Sequence, residues 1–322
     1  MTSGYPRLLG DIGGTNARWA WEQSPHSGIQ GVSVRSCALN ESLHASAEAF
    51  LAEGSHPRPA WVSIGIATPV TSDRVHMTNH TWSFSITELK QALGVERCLV
   101  INDFTALAMS LAALGPGDVR QVGSGSAVPG AAVALHGPGT GLGVSGLLPQ
   151  PGGGWSVISG EGGHVTLAAS DDREAAVLAL LRQRHGQVSA ERALSGAGLV
   201  NLYAALCVMS GQTERSLQPS AVTQAALDGS DALCVQAMQM FTSFLGNVAG
   251  NLALTLGARG GVYIGGGIVP RLGAGFDAAT FRRQFESKGR FADYLKAVPT
   301  SVITAATPAL IGASSALDLM AA

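Results

Sequence analysis

The chain has 322 residues, 46% of them hydrophobic and 13% charged, with a formal net charge of -2. That balance excludes disorder as the main state and gives no global attraction to nucleic acid or to an anionic membrane. Its 42 glycines far exceed the ordinary share of about 7%, and without a Gly-X-Y period they point to tight turns and close backbone approaches, not collagen.

The opening residues 1–11 lack an apolar stretch long enough for a signal peptide, and no apolar run reaches the ~18 residues of a membrane span. A cytoplasmic protein is expected. Leu8-Leu9-Gly10 runs into Asp11-Ile12-Gly13-Gly14-Thr15-Asn16 and then Arg18-Trp19-Ala20-Trp21, a pattern of strand, glycine turn, strand. Residues 41–53 predict a surface helix. Residues 61–67 predict an apolar strand, ended by Thr68-Pro69. Residues 98–101 predict a buried strand feeding a helix near Phe104. Residues 114–130 are rich in Gly, Ser and Pro and suit a domain boundary.

A second copy of the first pattern follows. Residues 131–135 lead into Gly137-Pro138-Gly139-Thr140-Gly141 and Leu142-Gly143-Val144. Two Gly-Thr tips one domain length apart point to related domains facing a shared ligand; chance likeness of glycine turns is the alternative. Residues 171–184 predict a helix with an acidic start and a basic end. Residues 230–256 predict a long helix capped by Ser230 and stopped at Gly257. Residues 262–264 predict a strand opening into Gly265-Gly266-Gly267, and a last helix is expected over 309–320, after Pro308. Strands alternate with helices throughout, so the fold class is α/β. The cysteines, Cys37, Cys98, Cys207 and Cys234, lack any Cys-x-x-Cys spacing and are expected to be reduced and mostly buried.

Glycine turns between strands expose backbone N–H groups that cradle phosphate. A Walker A loop is excluded, because none of Lys90, Lys288 and Lys296 follows a glycine. Gly141-x-Gly143-x-x-Gly146 has dinucleotide spacing, but the Leu-Leu-Pro-Gln-Pro after it cannot open a helix. No Gly-x-Ser-x-Gly elbow is present. A nucleotide gripped by two β-hairpins remains. Asp11 can orient Mg²⁺, directly or through water. The Thr15 and Thr140 hydroxyls and nearby amides suit phosphate oxygens, and the glycines at 265–267 let an adenine ring approach the backbone. Any one cluster alone reads as a turn; the three together with Asp11 favour a nucleotide.

The motifs Gly10-Asp-Ile-Gly-Gly-Thr-Asn-Ala-Arg18, Met77-Thr-Asn-His-Thr-Trp82, Ile101-Asn-Asp-Phe-Thr-Ala106, Gly139-Thr-Gly-Leu-Gly143, Gly160-Glu-Gly-Gly-His164, Leu194-Ser-Gly and Gly265-Gly-Gly-Ile-Val-Pro-Arg271 occur in one order, and Lys288-Gly-Arg-Phe291 extends them. This set resembles the bacterial ATP-dependent glucokinase family, of the hexokinase/actin-like (ribonuclease H-like) ATPase fold. The resemblance implies a small α/β domain from residues 1–113 with 304–322, a larger α/β domain from 114–303, and glucose in a cleft between them. It implies transfer of the γ-phosphoryl group of ATP to the 6-hydroxyl of glucose, with Mg²⁺, in a homodimer. Glucose is expected at Asn102, Asp103, Glu161, His164 and Glu191. ATP is expected at Gly10, Asp11, Ile12, Gly13, Gly14, Thr15, Gly139, Thr140, Gly265 and Gly266, with Asp11 toward the metal.

Asp103 is the candidate base. It stands where a buried strand gives way to a helix, the place where α/β folds put ligands. A plain helix cap is the alternative reading, and the Asn-Asp pair of the family motif favours the base. For His164 the alternative is a satisfied buried histidine. Glu191 looks locally like a first-turn helix glutamate and enters only through the resemblance. The cysteine/histidine zinc cluster of the related repressor–kinase sugar-kinase family is absent, and His76 and His80 lack a third ligand, so both are expected to be structural. A sugar-responsive regulator on this fold carries an extra DNA-binding domain, for which the sequence before Gly10 is too short. Glucose is expected to close the cleft, with hinges near 114–117 and 302–306.

Overall fold

The computed structural model describes residues 4–319. Residues 1–3, and Met320 at the end of the last expected helix, lie outside them. Contacts divide the chain into two compact units. The first holds the chain up to Gly115, the segment Gln150–Ser159 and the chain from Ala305 on; the second holds Pro116–Pro149 and Gly160–Thr304. The expected division groups 150–159 with 114–303. The segment groups instead with the first unit, where Ser159 Oγ meets Thr105 Oγ1 at 3.1 Å.

In chain order the elements are β1 (Arg7–Ile12), β2 (Asn16–Glu22), β3 (Gln30–Ser36), α1 (Leu43–Glu53), β4 (Trp61–Ile66), β5 (Arg74–His76), β6 (Ser83–Ser85), α2 (Ile86–Leu93), β7 (Arg97–Asn102) and α3 (Asp103–Ser110). They continue with β8 (Val119–Val122), β9 (Val133–Pro138), β10 (Leu142–Pro149), β11 (Trp155–Gly160), α4 (Asp172–His185), α5 (Gly196–Met209), α6 (Pro219–Asp228) and α7 (Ala232–Leu256). The remaining elements are β12 (Gly261–Ile264), α8 (Val269–Leu272), α9 (Ala278–Glu286), α10 (Ala292–Lys296), β13 (Thr300–Ile303) and α11 (Pro308–Leu319).

Local chemistry sets the helix ends. Ser42 Oγ accepts from Ala45 N at 3.1 Å before α1, and Asp171 Oδ1 accepts from Glu174 N at 2.8 Å before α4. The cap of α7 is Asp231, not Ser230: its Oδ1 accepts from Leu233 N and Cys234 N at 2.8 and 3.1 Å, and Ser230 lies one residue outside. Gly257, at φ 60°, stops α7 in the left-handed region. The Gly/Ser/Pro composition of residues 114–130 conceals β8. The fingerprint spacing at Gly141–Gly146 falls within the turn and strand β10, and no helix opens there.

Both units use one sheet plan. In the first, the strands lie in the order β3-β2-β1-β4-β7; β1 and β2 form an antiparallel hairpin, and β4 and β7 follow in parallel. In the second, β10-β9-β12-β13 repeats the β2-β1-β4-β7 part of it, a β9–β10 hairpin and then β12 and β13 in parallel, and β8 is added antiparallel to β13. Parallel pairing puts each hairpin tip at the same edge as the carboxyl ends of its neighbouring strands, where α/β sheets carry ligands.

The first unit is closed by its C-terminal helix. A Cβ on Gly312 would collide with the Ala106 carbonyl, so only glycine lets α11 lie this close to α3. Buried Arg7 ties β1 to α11: its Nη2 donates to Asp318 Oδ1 at 2.5 Å and its Nη1 to Ser314 Oγ at 3.1 Å. The second unit is organised by α7, whose buried Phe241 and Phe244 share a core with Phe281 and Phe285 of α9. Each such ring contributes about 1.5–3 kcal/mol by leaving water. All four cysteines are free, and all but Cys98 are buried. No helix among the described residues is long and apolar enough to cross a membrane.

Candidate active site

The first tip spans Gly13 to Thr15. Gly13 N donates to Asn16 O at 2.9 Å to close it, and Cys37 N donates to Thr15 O at 2.8 Å behind it. A Cβ on Gly14 would stand 2.9 Å from the Asn79 carbonyl oxygen, so the Thr-Asn-His-Thr-Trp loop packs directly on the tip. Thr15 is exposed. Gly10 and Ile12 are different: both are buried inside β1, which pairs on both sides over Arg7–Ile12. Trp19 and Ile64 fill the space beside Gly10. These two residues carry the tip, while Gly13, Gly14 and Thr15 form it.

Asp11 stands opposite Arg18 across the hairpin, and Arg18 Nη1 donates to its Oδ2 at 2.9 Å. Burial pushes the Asp11 carboxyl above its ordinary pKa, and Arg18 pulls it back. Arg18 belongs to the first motif but was assigned no role from sequence. Its signal was the cross-strand register of the hairpin.

Asn102 ends β7 at the same edge. Its Oδ1 caps α3, accepting from Phe104 N at 2.9 Å and Thr105 N at 3.2 Å, and its Nδ2 donates to Thr68 O at 3.4 Å. The cap is therefore Asn102, which leaves Asp103 as the first helical residue. Asp103 Oδ1 accepts from Phe104 N at 2.9 Å. Burial first, and the Asp11 charge second, raise Asp103 to a pKa of about 6. The shift identifies a carboxylate held among low-dielectric surroundings with a like charge nearby, a frequent arrangement at reactive sites. Thr68 Oγ1 also meets Thr78 Oγ1 at 2.9 Å, which ties the Thr-Asn-His-Thr-Trp loop to the Asn102 edge. His80 stacks edge-on against Trp82, with centroids 4.8 Å apart, and its Nδ1 accepts from Trp82 N at 3.3 Å. His76 is exposed at the end of β5.

The second unit has its own assembly. Gly139 N donates to Gly141 O at 2.7 Å to close the tip, and Thr140 is exposed at its apex. Gly265 N donates to His136 O at 2.9 Å, and a Cβ on Gly266 (φ 74°) would meet the Pro138 carbonyl. These glycines let the end of β12 close on the end of β9. Gly196 N donates to Gly139 O at 2.9 Å, which brings the Leu-Ser-Gly motif to the tip. Glu191 lies in a short 3-10 turn, Ala190–Arg192, and its Oε2 accepts from Leu142 N at 2.8 Å.

Glu161 and His164 flank a short turn in which His164 N donates to Glu161 O at 3.0 Å. Both side chains are exposed, so His164 is not a core histidine. Behind them, Leu167 N donates to Val188 O at 3.0 Å and Ala190 N to Val165 O at 2.8 Å, which fastens the loop to the Glu191 segment. The loop is anchored further by a buried network: Ser243 Oγ donates to Glu174 Oε1 at 2.6 Å, Asn247 Nδ2 to Ser170 Oγ at 3.0 Å, and Lys288 to Asn247 Oδ1. Burial lowers the Lys288 pKa. The Lys-Gly-Arg-Phe motif thus contributes a strut, a role that sequence reading left unassigned.

Asn102, Asp103, Asp11, Arg18 and the first tip gather at one edge of the first sheet. Gly139, Thr140, Gly265, Gly266 and Glu191 gather at one edge of the second, and Glu161 and His164 lie on a loop fastened to that same assembly. Among the described residues no group of three or more His, Cys, Asp or Glu is placed to hold a metal ion. Mg²⁺ bound with a nucleotide is held by one or two carboxylates, phosphates and water, so the single Asp11 carboxylate, with Arg18 on one oxygen, fits it.

The family model for glucokinase matches residues 8–320. The chain is 52% identical over 315 residues to a glucokinase of Aromatoleum aromaticum, covering 98% of this chain and 95% of that one. It is 48% identical over 317 residues to a glucokinase of Chromobacterium violaceum, covering 98% and 90%. A solved glucokinase from an Antarctic psychrotroph superposes with a TM-score of 0.89 at 35% identity, covering 97% of this chain and 98% of that one. With a family model spanning almost its whole length, the chain belongs to the glucokinase family.

Proposed function

We propose that this chain is an ATP-dependent glucokinase. It moves the γ-phosphoryl group of ATP to the 6-hydroxyl of glucose, giving glucose 6-phosphate and ADP. The observation that carries the reading is Asp103: a carboxylate at a strand-to-helix junction, raised to about 6 by burial and by Asp11, in a chain of this family. At neutral pH such a group is ionised yet more basic than an ordinary carboxylate, which suits a general base. Its Oδ1 accepts from Phe104 N, which orients the carboxylate for the acceptor hydroxyl. The hydroxyl proton passes to Asp103 as the sugar oxygen bonds to the γ-phosphorus. The bond from that phosphorus to the bridging oxygen breaks, and ADP departs with the electron pair.

Asn102, Glu161, His164 and Glu191 are assigned with Asp103 to the sugar hydroxyls, which must find partners when water leaves. The Gly13–Thr15 and Gly139–Thr140 tips are assigned to the phosphates, and Gly265 and Gly266 to the adenine side. Asp11 would hold Mg²⁺, directly or through water. When bound, the ion supplies charge neutralisation on the phosphates. The enzyme is further placed in the cytoplasm, where thiols such as these four free cysteines stay reduced, and as a homodimer, the family expectation.

A coupled assay for ADP with glucose, ATP and Mg²⁺, run beside mannose and N-acetylated hexoses, tests the function. Glucose should be turned over in clear preference. Equal or better turnover of another hexose would move the reading to a different sugar kinase. Light scattering on the purified chain tests the dimer.

A further inference from the structure

Three pieces of the second unit converge on one residue, Leu142. Its N–H donates to Glu191 Oε2 at 2.8 Å. On its carbonyl side, Gly163 of the Glu161–His164 loop packs so closely that a Cβ there would collide with Leu142 O. Leu142 is also the first residue of β10, directly after the Gly139–Gly141 tip. The Glu191 segment touches that tip a second time, through Gly196 N to Gly139 O at 2.9 Å. Ser195 Oγ locks the segment's own shape, donating to Glu191 O at 2.9 Å and accepting from Gly198 N at 2.9 Å. At Gly141, a Cβ would collide with Glu191 Oε2 and with no backbone atom. The absence of a side chain there makes room for the carboxylate.

We propose that Glu191 is a positioning residue for the phosphate-binding tip. By accepting from Leu142 N it fixes the Gly139–Gly141 turn in the shape that presents its amides and Thr140 to the phosphates of ATP. The side chain assigned to the sugar therefore also sets the hold on the nucleotide. Oε2 is committed to the tip and Oε1 remains for a sugar hydroxyl, so sugar bound at Oε1 steadies the carboxylate that steadies the tip. The inference rests on the assignment of this hairpin to the nucleotide and deepens it.

The test is nucleotide binding in the absence of sugar, measured by calorimetry with a non-hydrolysable ATP analogue and Mg²⁺. Glu191→Ala should weaken it by roughly 5- to 10-fold, the cost of about one hydrogen bond. Glu191→Gln keeps an acceptor oxygen for Leu142 N and should restore nucleotide affinity to within about 2-fold of wild type, while its glucose affinity stays impaired. Gly141→Ala displaces the carboxylate without altering any residue assigned to glucose, and should weaken the nucleotide as Glu191→Ala does. Unchanged nucleotide affinity in both Glu191→Ala and Gly141→Ala would overturn the proposal, as would a Glu191→Gln variant no better than Glu191→Ala. Absent glucose turnover in the wild type would instead strike the glucokinase reading, and these sugar-free measurements distinguish the two failures.

Discussion

The two hairpins share a backbone plan and differ in where their chemistry comes from. Four residues before Thr15 the first hairpin carries Asp11; four residues before Thr140 the second carries His136. Asp11 takes an ion pair from Arg18 across the hairpin and acts electrostatically on Asp103. His136 is wholly buried, lies parallel to the Phe281 ring at 6.4 Å, and neither ring nitrogen has a partner among the described residues. One hairpin therefore brings its own charge, and the other borrows a carboxylate from Glu191, some fifty residues on in sequence. A glycine turn specifies a shape; the charge that makes it useful is a separate decision, local in one case and tertiary in the other.

The largest expected effect tests the charged side of that contrast. Asp103→Asn should lower turnover by about 10²–10⁴, the contribution of a positioned general base, while glucose still binds by calorimetry. A variant keeping more than a tenth of wild-type turnover would move the base elsewhere and leave the first unit without its claimed chemistry.

The uncharged side is tested by acid. Burial lowers the His136 pKa from 6.5 to about 4. The folded protein therefore binds this proton less readily than the unfolded chain does. The stability linked to His136 is complete above pH 6.5, falls as the pH drops toward 4, and is then fully lost. Its extent is on the order of 3 kcal/mol. His136→Phe keeps a ring beside Phe281 and removes the titration. Its denaturant-unfolding free energy should depend less steeply on pH between 6.5 and 4 than that of wild type. Parallel curves would show that His136 gains a proton partner inside the fold.

How much of this was legible in the sequence follows the same division. The first site is written in contiguous residues: the strand-turn-strand of β1 and β2, and the Asn102-Asp103 step from strand to helix. Periodicity and turn chemistry reach that far. The struts were not legible. Lys288 on Asn247, Glu174 under Ser243, and Glu191 on Leu142 join segments far apart in sequence, and only the packing of α7 and β10 brings them together. Caps were legible in type but misplaced at one position. Ser230 and Asp231 are both good caps, and the end of α7 selects the second. At the start of α3 the hydrogen bonds make Asn102 the cap, so the cap reading weighed for Asp103 falls to its neighbour.

That last choice carries the smallest effect and separates two duties of one side chain. Asn102 caps α3 through Oδ1, and its Nδ2 is the group assigned to the sugar. Asn102→Ala loses both and should cost about 1 kcal/mol of stability, with weaker glucose binding. Asn102→Ser retains a capping oxygen and drops the amide, so its stability should return to within a few tenths of a kcal/mol of wild type while glucose binding stays weak. In the second unit the cap and the proposed sugar contact are separate residues. Ser195 caps α5 there, and Glu191 is the one assigned to the sugar. Ser195→Ala should therefore cost about 1 kcal/mol in denaturant unfolding, and because its Oγ also donates to Glu191 O, glucose affinity should fall by less than it does in Asn102→Ala. If Asn102→Ser recovered both stability and glucose affinity, Asn102 would be a cap alone. The first unit would then hold its sugar through Asp103, and the two units would divide their labour in the same way.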